Sequence, residues 1–278
     1  MVLKLEHLFG SKNGIAVLRH LVLRPYSPFG LTELAEALEI SKSNILRVLK
    51  PLQEANLIVE QKAGRKKLLQ INSEQEIVQQ LWKIFMLEKK NAVVPEFKNI
   101  LDLFFSKIKE KADVFILFGS VAQGLATKDS DIDIIIVGDT KISGPILDYL
   151  PFRFEVHNYS WKELQEKKDF VVLEALTNGI VYKGEIYNLI KELKLFPKSY
   201  LIYRLNKVKE FIQKERGSTG PAKKYYHTLA NITWGEIESL LNKKGIQPKR
   251  FLKATVTQSR IEELERRIAQ EGEAVWIT

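Results

Sequence analysis

Cysteine is absent from all 278 residues. That excludes disulfides and thiolate metal sites. There are four histidines, scattered along the chain, which argues against a zinc centre. No apolar run reaches the roughly 18–20 residues that a membrane-spanning helix needs. The opening residues, MVLKLEHLFGSKNG, lack the long apolar stretch and small-residue cleavage site of a signal peptide. A cytoplasmic protein without a membrane partner is the expectation. Acidic residues are the scarcer charge: 34 Asp and Glu stand against 43 Lys and Arg, a net charge of +9. The imbalance is uneven. Residues 1–90 carry +5, residues 91–184 carry −3 and residues 185–278 carry +7. An acidic centre suits a cation site. Basic flanks suit a polyanion such as nucleic acid.

The first third changes period once. A first apolar helix is expected over about Gly14–Leu23, ending before RPYSPFG, where two prolines and a glycine break the pattern. In LTELAEALEI, Leu31, Leu34, Ala35 and Leu38 recur at helical spacing. A turn at Glu39-Ile40 follows, and Ser41 or Ser43 is placed to cap the next helix. In that helix Ile45, Val48, Leu49 and Leu52 face inward. Lys42, Ser43, Asn44 and Arg47 lie near its start, the end that usually meets base edges. Pro51 predicts a kink or an early end. Then LIVEQ and KLLQIN read as short strands, joined by a turn with Gly64 at its tip. Lys62, Arg65, Lys66 and Lys67 cluster there and are candidates for phosphate contact.

Residues 74–110 read as helical connectors. Ile77, Leu81, Ile84 and Phe85 form one apolar stripe. Ile100, Leu103, Phe104 and Ile108 form another, after Pro95. Residues 111–184 alternate strand and helix: VFILFG, SVAQGLA, DIDIIIVG and FRFEVHNY, then helical segments and a closing turn. Residues 185–278 read as almost wholly helical, with a loop at ERGSTGPAKKYY.

The chemistry sits in LFGSVAQGLATKDSDIDIIIV. Gly119 has no Cβ, so a phosphate can come close to its backbone. Ser120 offers a hydroxyl and a backbone N–H at a helix start. Asp131 and Asp133 stand two apart, so a strand puts both carboxylates on one face and Ile132, Ile134 and Ile136 on the other. Adjacent carboxylates repel, and a hard divalent cation such as Mg²⁺ or Mn²⁺ removes that cost. Glu155 lies in the alternating run RFEVH, with Arg153 and His157 on its face. It is the candidate third carboxylate. Arg153 and Lys128 are candidates for phosphate. Asp129 and Ser130 are read as shaping a turn.

The string Phe118, Gly119-Ser120, Asp131-Ile132-Asp133 and Phe154-Glu155-Val156 resembles the nucleotidyltransferase superfamily that includes DNA polymerase beta, especially its minimal prokaryotic members. Residues 31–72 resemble the winged helix-turn-helix domains of prokaryotic regulators. These resemblances imply a multidomain α+β chain. A winged helix-turn-helix with a helical connector covers residues 1–90. A small α/β nucleotidyltransferase domain with a mixed sheet covers 91–184. A helical domain covers 185–278. They also imply transfer of a nucleoside monophosphate from a nucleoside triphosphate to a hydroxyl of nucleic acid or protein. In that reading Asp131, Asp133 and Glu155 bind metal and carry the catalysis, while Gly119 and Ser120 hold the nucleotide. Duplex DNA is the partner expected at the winged helix. The alternative is a DNA-binding regulator, or an antitoxin-like protein, that uses the same domain to sense nucleotide or to modify a protein partner.

Overall fold

The computed structural model describes residues 10–63, 66–128, 130–138, 141–142, 151–242 and 256–276. It divides into two compact units. One comprises residues 1–82 with 191–278, and the other comprises residues 83–190.

The first unit begins with helix α1 (Lys12–Val22), capped by the Ser11 hydroxyl, which accepts from the Gly14 N–H at 2.9 Å. Strand β1 (Phe29–Gly30) leads directly into α2 (Leu31–Leu38). The turn forecast at Glu39-Ile40 is there, with Glu39 in the left-handed region at φ 56°. Helix α3 (Lys42–Glu54) follows, with Ser41 as its N-cap. Its inward face holds Ile45, Leu49 and Leu52, all buried, while Val48 is half-buried. The helix runs through Pro51 to Glu54, so it does not end early. About two and a half turns form before the proline, and the Pro51 carbonyl still accepts from the Ala55 N–H at 3.1 Å. Strands β2 (Ile58–Ala63) and β3 (Lys66–Ile71) pair antiparallel in the sheet order β1-β3-β2. Gly64, the expected turn residue, lies outside the described residues.

The two connector helices are α4 (Glu76–Asn91) and α5 (Pro95–Ile108). Half of each expected stripe is buried: Leu81 and Phe85 on α4, Phe104 and Ile108 on α5. Val78, Leu81, Trp82, Phe85 and Met86 are buried on α4, Ile77 is half-buried and Ile84 is exposed. Phe97, Leu101, Phe104 and Ile108 are buried on α5, and Leu103 is exposed. In both helices the true stripe follows i, i+4, i+7 positions that include larger aromatics, which fill the core better than the excluded aliphatics.

The second unit is built on a mixed four-stranded sheet in the order β6-β5-β4-β7. Strand β4 (Val114–Phe118) is buried throughout. Helix α6 (Gly119–Ala122) is a single turn, followed by β5 (Ile132–Val137) and β6 (Phe154–Tyr159). Helices α7 (Trp161–Glu166) and α8 (Phe170–Asn178) lead to β7 (Ile180–Lys183). Strand β5 is antiparallel to β4 and parallel to β6. Ile132, Ile134 and Ile136 enter one apolar cluster with Phe115, Leu117, Phe154 and the buried stripe of α5. That face of β5 is thus fully committed to packing, as the alternation requires. The parallel pairing needs a crossover, and Asn158 grips it. Its side chain accepts from the Ile142 N–H at 2.9 Å and donates to the Ile142 carbonyl at 3.0 Å.

Helix α9 (Tyr187–Lys191) spans the unit boundary. Beyond it lie β8 (Leu195–Pro197), α10 (Lys198–Arg216), α11 (Gly220–Leu241), α12 (Gln258–Gln270) and β9 (Ala274–Trp276). The region is mainly helical, with a short antiparallel β8-β9 pair that the sequence reading omitted. Helix α11 also starts earlier than expected. Of the expected loop ERGSTGPAKKYY, the stretch GPAKKYY is already helical, with a proline in its first turn, where a missing N–H costs nothing.

Candidate functional site

The residues singled out on β4, β5 and β6 meet at one end of the sheet. Register does this. Phe118, the last residue of β4, pairs with Asp133, and Asp133 pairs with Glu155 on the parallel neighbour. Directly paired residues point to the same face of a sheet. Phe118, Asp133, Glu155 and, two residues on, His157 therefore share a face. Asp131 precedes β5, held where the Ile132 N–H donates to the Arg153 carbonyl at 2.8 Å.

Gly119 is the tightest point. Its φ is +69°, a region that favours glycine. A Cβ built there would fall 2.0 Å from Oδ2 of Asp133. The Asp133 carboxylate thus lies against the Gly119 backbone, in space that any larger residue would fill. Gly119 was expected to admit a phosphate, and here it also makes room for the carboxylate. Ser120 is half-buried one residue on. Its carbonyl accepts from the Leu125 N–H at 2.9 Å, closing the loop after α6. Ser130 shapes its turn: its hydroxyl accepts from the Thr127 N–H at 2.8 Å. Asp129 lies outside the described residues.

Two carboxylates have basic neighbours. Asp131 Oδ1 lies 3.9 Å from Nε of the exposed Arg153, and Glu155 Oε1 lies 3.4 Å from Nε2 of His157. The His157 ring packs on Phe118 at 5.6 Å between centroids. Further along the same strand the Tyr159 phenol is pushed up, first by burial and then by the nearby Asp169 carboxylate.

The donor set is carboxylate oxygen, the type that suits a hard divalent cation, and Asp133 lies against the Gly119 backbone. The three side chains are not gathered around a point. Among the described residues no group of three acidic or histidine side chains is close enough to hold a metal ion. Asp131, Asp133 and Glu155 share a sheet end, but Asp131 and Glu155 have other neighbours.

A second set of candidates lies on α3. Lys42, Ser43 and Arg47 are exposed, and Asn44 is half-buried. The Ser41 hydroxyl accepts from the Asn44 N–H at 3.4 Å and lies 3.1 Å from the Ser43 hydroxyl. On the hairpin, Lys67 is exposed and donates to Glu60 Oε2 at 3.2 Å. Lys62 pairs with Lys67 across the ladder, and Ala63 with Lys66. Arg65 lies outside the described residues.

No helix among the described residues is long and apolar enough to cross a membrane. No curated protein matches the chain. A family model described as a nucleotidyltransferase domain matches residues 98–215, from α5 to the end of α10. That span is somewhat under half of the chain and contains every residue of the sheet-end site. Over residues 98–215 the chain is similar to nucleotidyltransferase domains.

Proposed function

We propose that the chain transfers a nucleoside monophosphate from a nucleoside triphosphate to a hydroxyl of nucleic acid or protein. The observation that carries this reading is the register that sets Asp133 beside both Gly119 and Glu155. Asp131, Asp133 and Glu155 would hold Mg²⁺ or Mn²⁺, which would neutralise the triphosphate and acidify the acceptor hydroxyl. The chain's own residues do the rest. The backbone at Gly119 and the Ser120 hydroxyl bind phosphate oxygens. Glu155, on the rim of the site, is placed to orient the acceptor and take its proton. Phe118 and the isoleucines of β5 keep the carboxylates on a stiff strand, so that they are fixed before substrate arrives.

The order of helices and strands from α1 to β3, with an exposed basic helix face and a basic hairpin, supports a winged helix-turn-helix that binds duplex DNA. The two activities together describe a nucleotidyltransferase brought to its acceptor by nucleic acid. The ungathered carboxylates favour a second reading, a DNA-binding regulator that senses nucleotide without turnover. Release of pyrophosphate decides between them.

The test uses the full chain with labelled nucleoside triphosphates, Mg²⁺ or Mn²⁺, and RNA, DNA and protein acceptors. Asp131→Asn and Asp133→Asn are expected to lower transfer at least about a hundredfold, the scale of losing a group that stabilises transition-state charge. Both side chains are partly solvated, so stability should move by less than about 1 kcal/mol. Transfer at native rates in either variant would remove that residue from the site.

A further inference from the structure

Helix α3 carries one side chain that its packing does not explain. Ile45, Leu49 and Leu52 are buried against the rest of the fold, yet Leu46 is 54% exposed. Its exposed neighbours on the helix face are Lys42, Ser43, Arg47 and Lys50. Lys42, Ser43 and Lys50 fall at i−4, i−3 and i+4 on the same face as Leu46, and Arg47 is exposed on its flank at i+1, which makes Leu46 the centre of a patch. No acidic residue occurs in α3 before Glu54, its last residue. The face is thus cationic with a single apolar centre.

That pattern selects among partners. A protein-binding face has a broad apolar core inside a polar rim, and one leucine framed by three cations is the reverse. Duplex DNA matches it. Lysine and arginine reach phosphates on both sides of the major groove, and the groove floor presents one apolar group, the C5-methyl of thymine. We propose that Leu46 is a specificity determinant that seats on a thymine methyl, so that the preferred duplex carries a T·A pair beneath the middle of α3. The proposal rests on the DNA-binding reading above and adds the base and the residue that reads it.

The experiment separates the two. The full chain is used to select duplexes from a random pool. The recovered duplex is then compared with a copy in which every thymine is replaced by deoxyuridine. The copy keeps pairing and charge and loses only the methyl groups. The native chain should bind the copy roughly fourfold more weakly per contacted methyl, the effect of leaving one apolar carbon unburied. Leu46→Ala should bind both duplexes equally, at about the level of the native chain on the copy, with its salt dependence unchanged. Equal binding of both duplexes by the native chain overturns the role of Leu46 and leaves DNA binding standing. Discrimination that persists in Leu46→Ala does the same. If no duplex is retained in a salt-dependent way, the DNA reading falls and takes this assignment with it.

Discussion

Charge is handled in opposite ways at the sheet end and inside the pair of long helices. At the sheet end Asp131 and Glu155 stand 3.9 and 3.4 Å from Arg153 and His157, and all but His157 are substantially exposed. In the helical region Arg204 on α10 and Glu236 on α11 are closed on each other, with side chains 5% and 2% exposed. The first arrangement contributes little to folding, because exposed pairs at such distances are screened. Its charges remain available to a ligand. The second is committed to the fold, because neither charge has water to return to. The helical interior is unusually polar around it: Asn231, Thr233 and Ser239 are buried on the same helix. The sheet's own core is apolar by contrast. The fold therefore draws on the buried pair, and the proposed site on the exposed charges.

The sharpest way to break this contrast is at the buried pair. Glu236→Ala removes the carboxylate closed on the buried Arg204 guanidinium and should cost about 3–5 kcal/mol in urea unfolding. Arg204→Met combined with Glu236→Leu should recover most of that, since a well-packed apolar pair avoids the desolvation cost. A loss below about 1 kcal/mol in the single variant would show that the pair is not structural. Asp131→Asn, its counterpart at the sheet end, should leave the unfolding midpoint almost unmoved.

Gly119→Ala comes next, and Gly124→Ala is its control. The two glycines have nearly the same φ, +69° and +68°. A Cβ at Gly119 meets the Asp133 carboxylate, whereas one at Gly124 has nothing within 4 Å. Both variants should lose about 1–2 kcal/mol of stability from left-handed strain. Only Gly119→Ala should also lose transfer activity, by more than about tenfold, because its methyl displaces Asp133. Equal activity in the two would mean that Asp133 is not the group that Gly119 accommodates.

Ser120→Ala should act on substrate alone. One hydrogen bond to a charged phosphate contributes roughly 1.5–3 kcal/mol. Triphosphate affinity should fall by that amount, with metal affinity and unfolding nearly constant. Unchanged nucleotide affinity would remove Ser120 from the site.

Much of this site was legible because it is made of local patterns. The i, i+2 spacing of Asp131 and Asp133 beside Ile132, Ile134 and Ile136 pointed to a strand. Strand β5 does run from Ile132 to Val137, but Asp131 precedes it, and past Asp133 both faces are packed, Ile135 and Val137 being fully buried. The tightness at Gly119 was not legible. It depends on Phe118 pairing with Asp133, a strand register between residues fifteen apart that periodicity along the chain does not show. Strands β1, β7, β8 and β9 have two to four residues, too few to show a period. The start of α11 was hidden because Gly217, Gly220 and Pro221 read as loop residues, although a proline in a helix's first turn is favourable. Ile84 and Leu103 misled for a related reason. Each sits beside the true stripe, and periodicity alone does not rank neighbouring aliphatic and aromatic candidates.

The smallest expected effect concerns the hairpin, where a surface charge is neither buried nor part of the acidic cluster. Lys67 is 69% exposed and donates to Glu60 Oε2 at 3.2 Å. An exposed pair of this kind contributes about 0–1 kcal/mol to stability, so Lys67→Ala should fold normally. If Lys67 touches a phosphate, the variant should bind duplex DNA more weakly at all sequences. The slope of log affinity against log salt should become shallower by about 0.9, the value of one released counterion. Glu60→Gln should move binding the other way, because it frees Lys67 from its internal partner and removes a repulsive charge. A salt series on the native chain and both variants measures this directly. An unchanged slope in Lys67→Ala, with normal DNA binding otherwise, would remove Lys67 from the phosphate contacts.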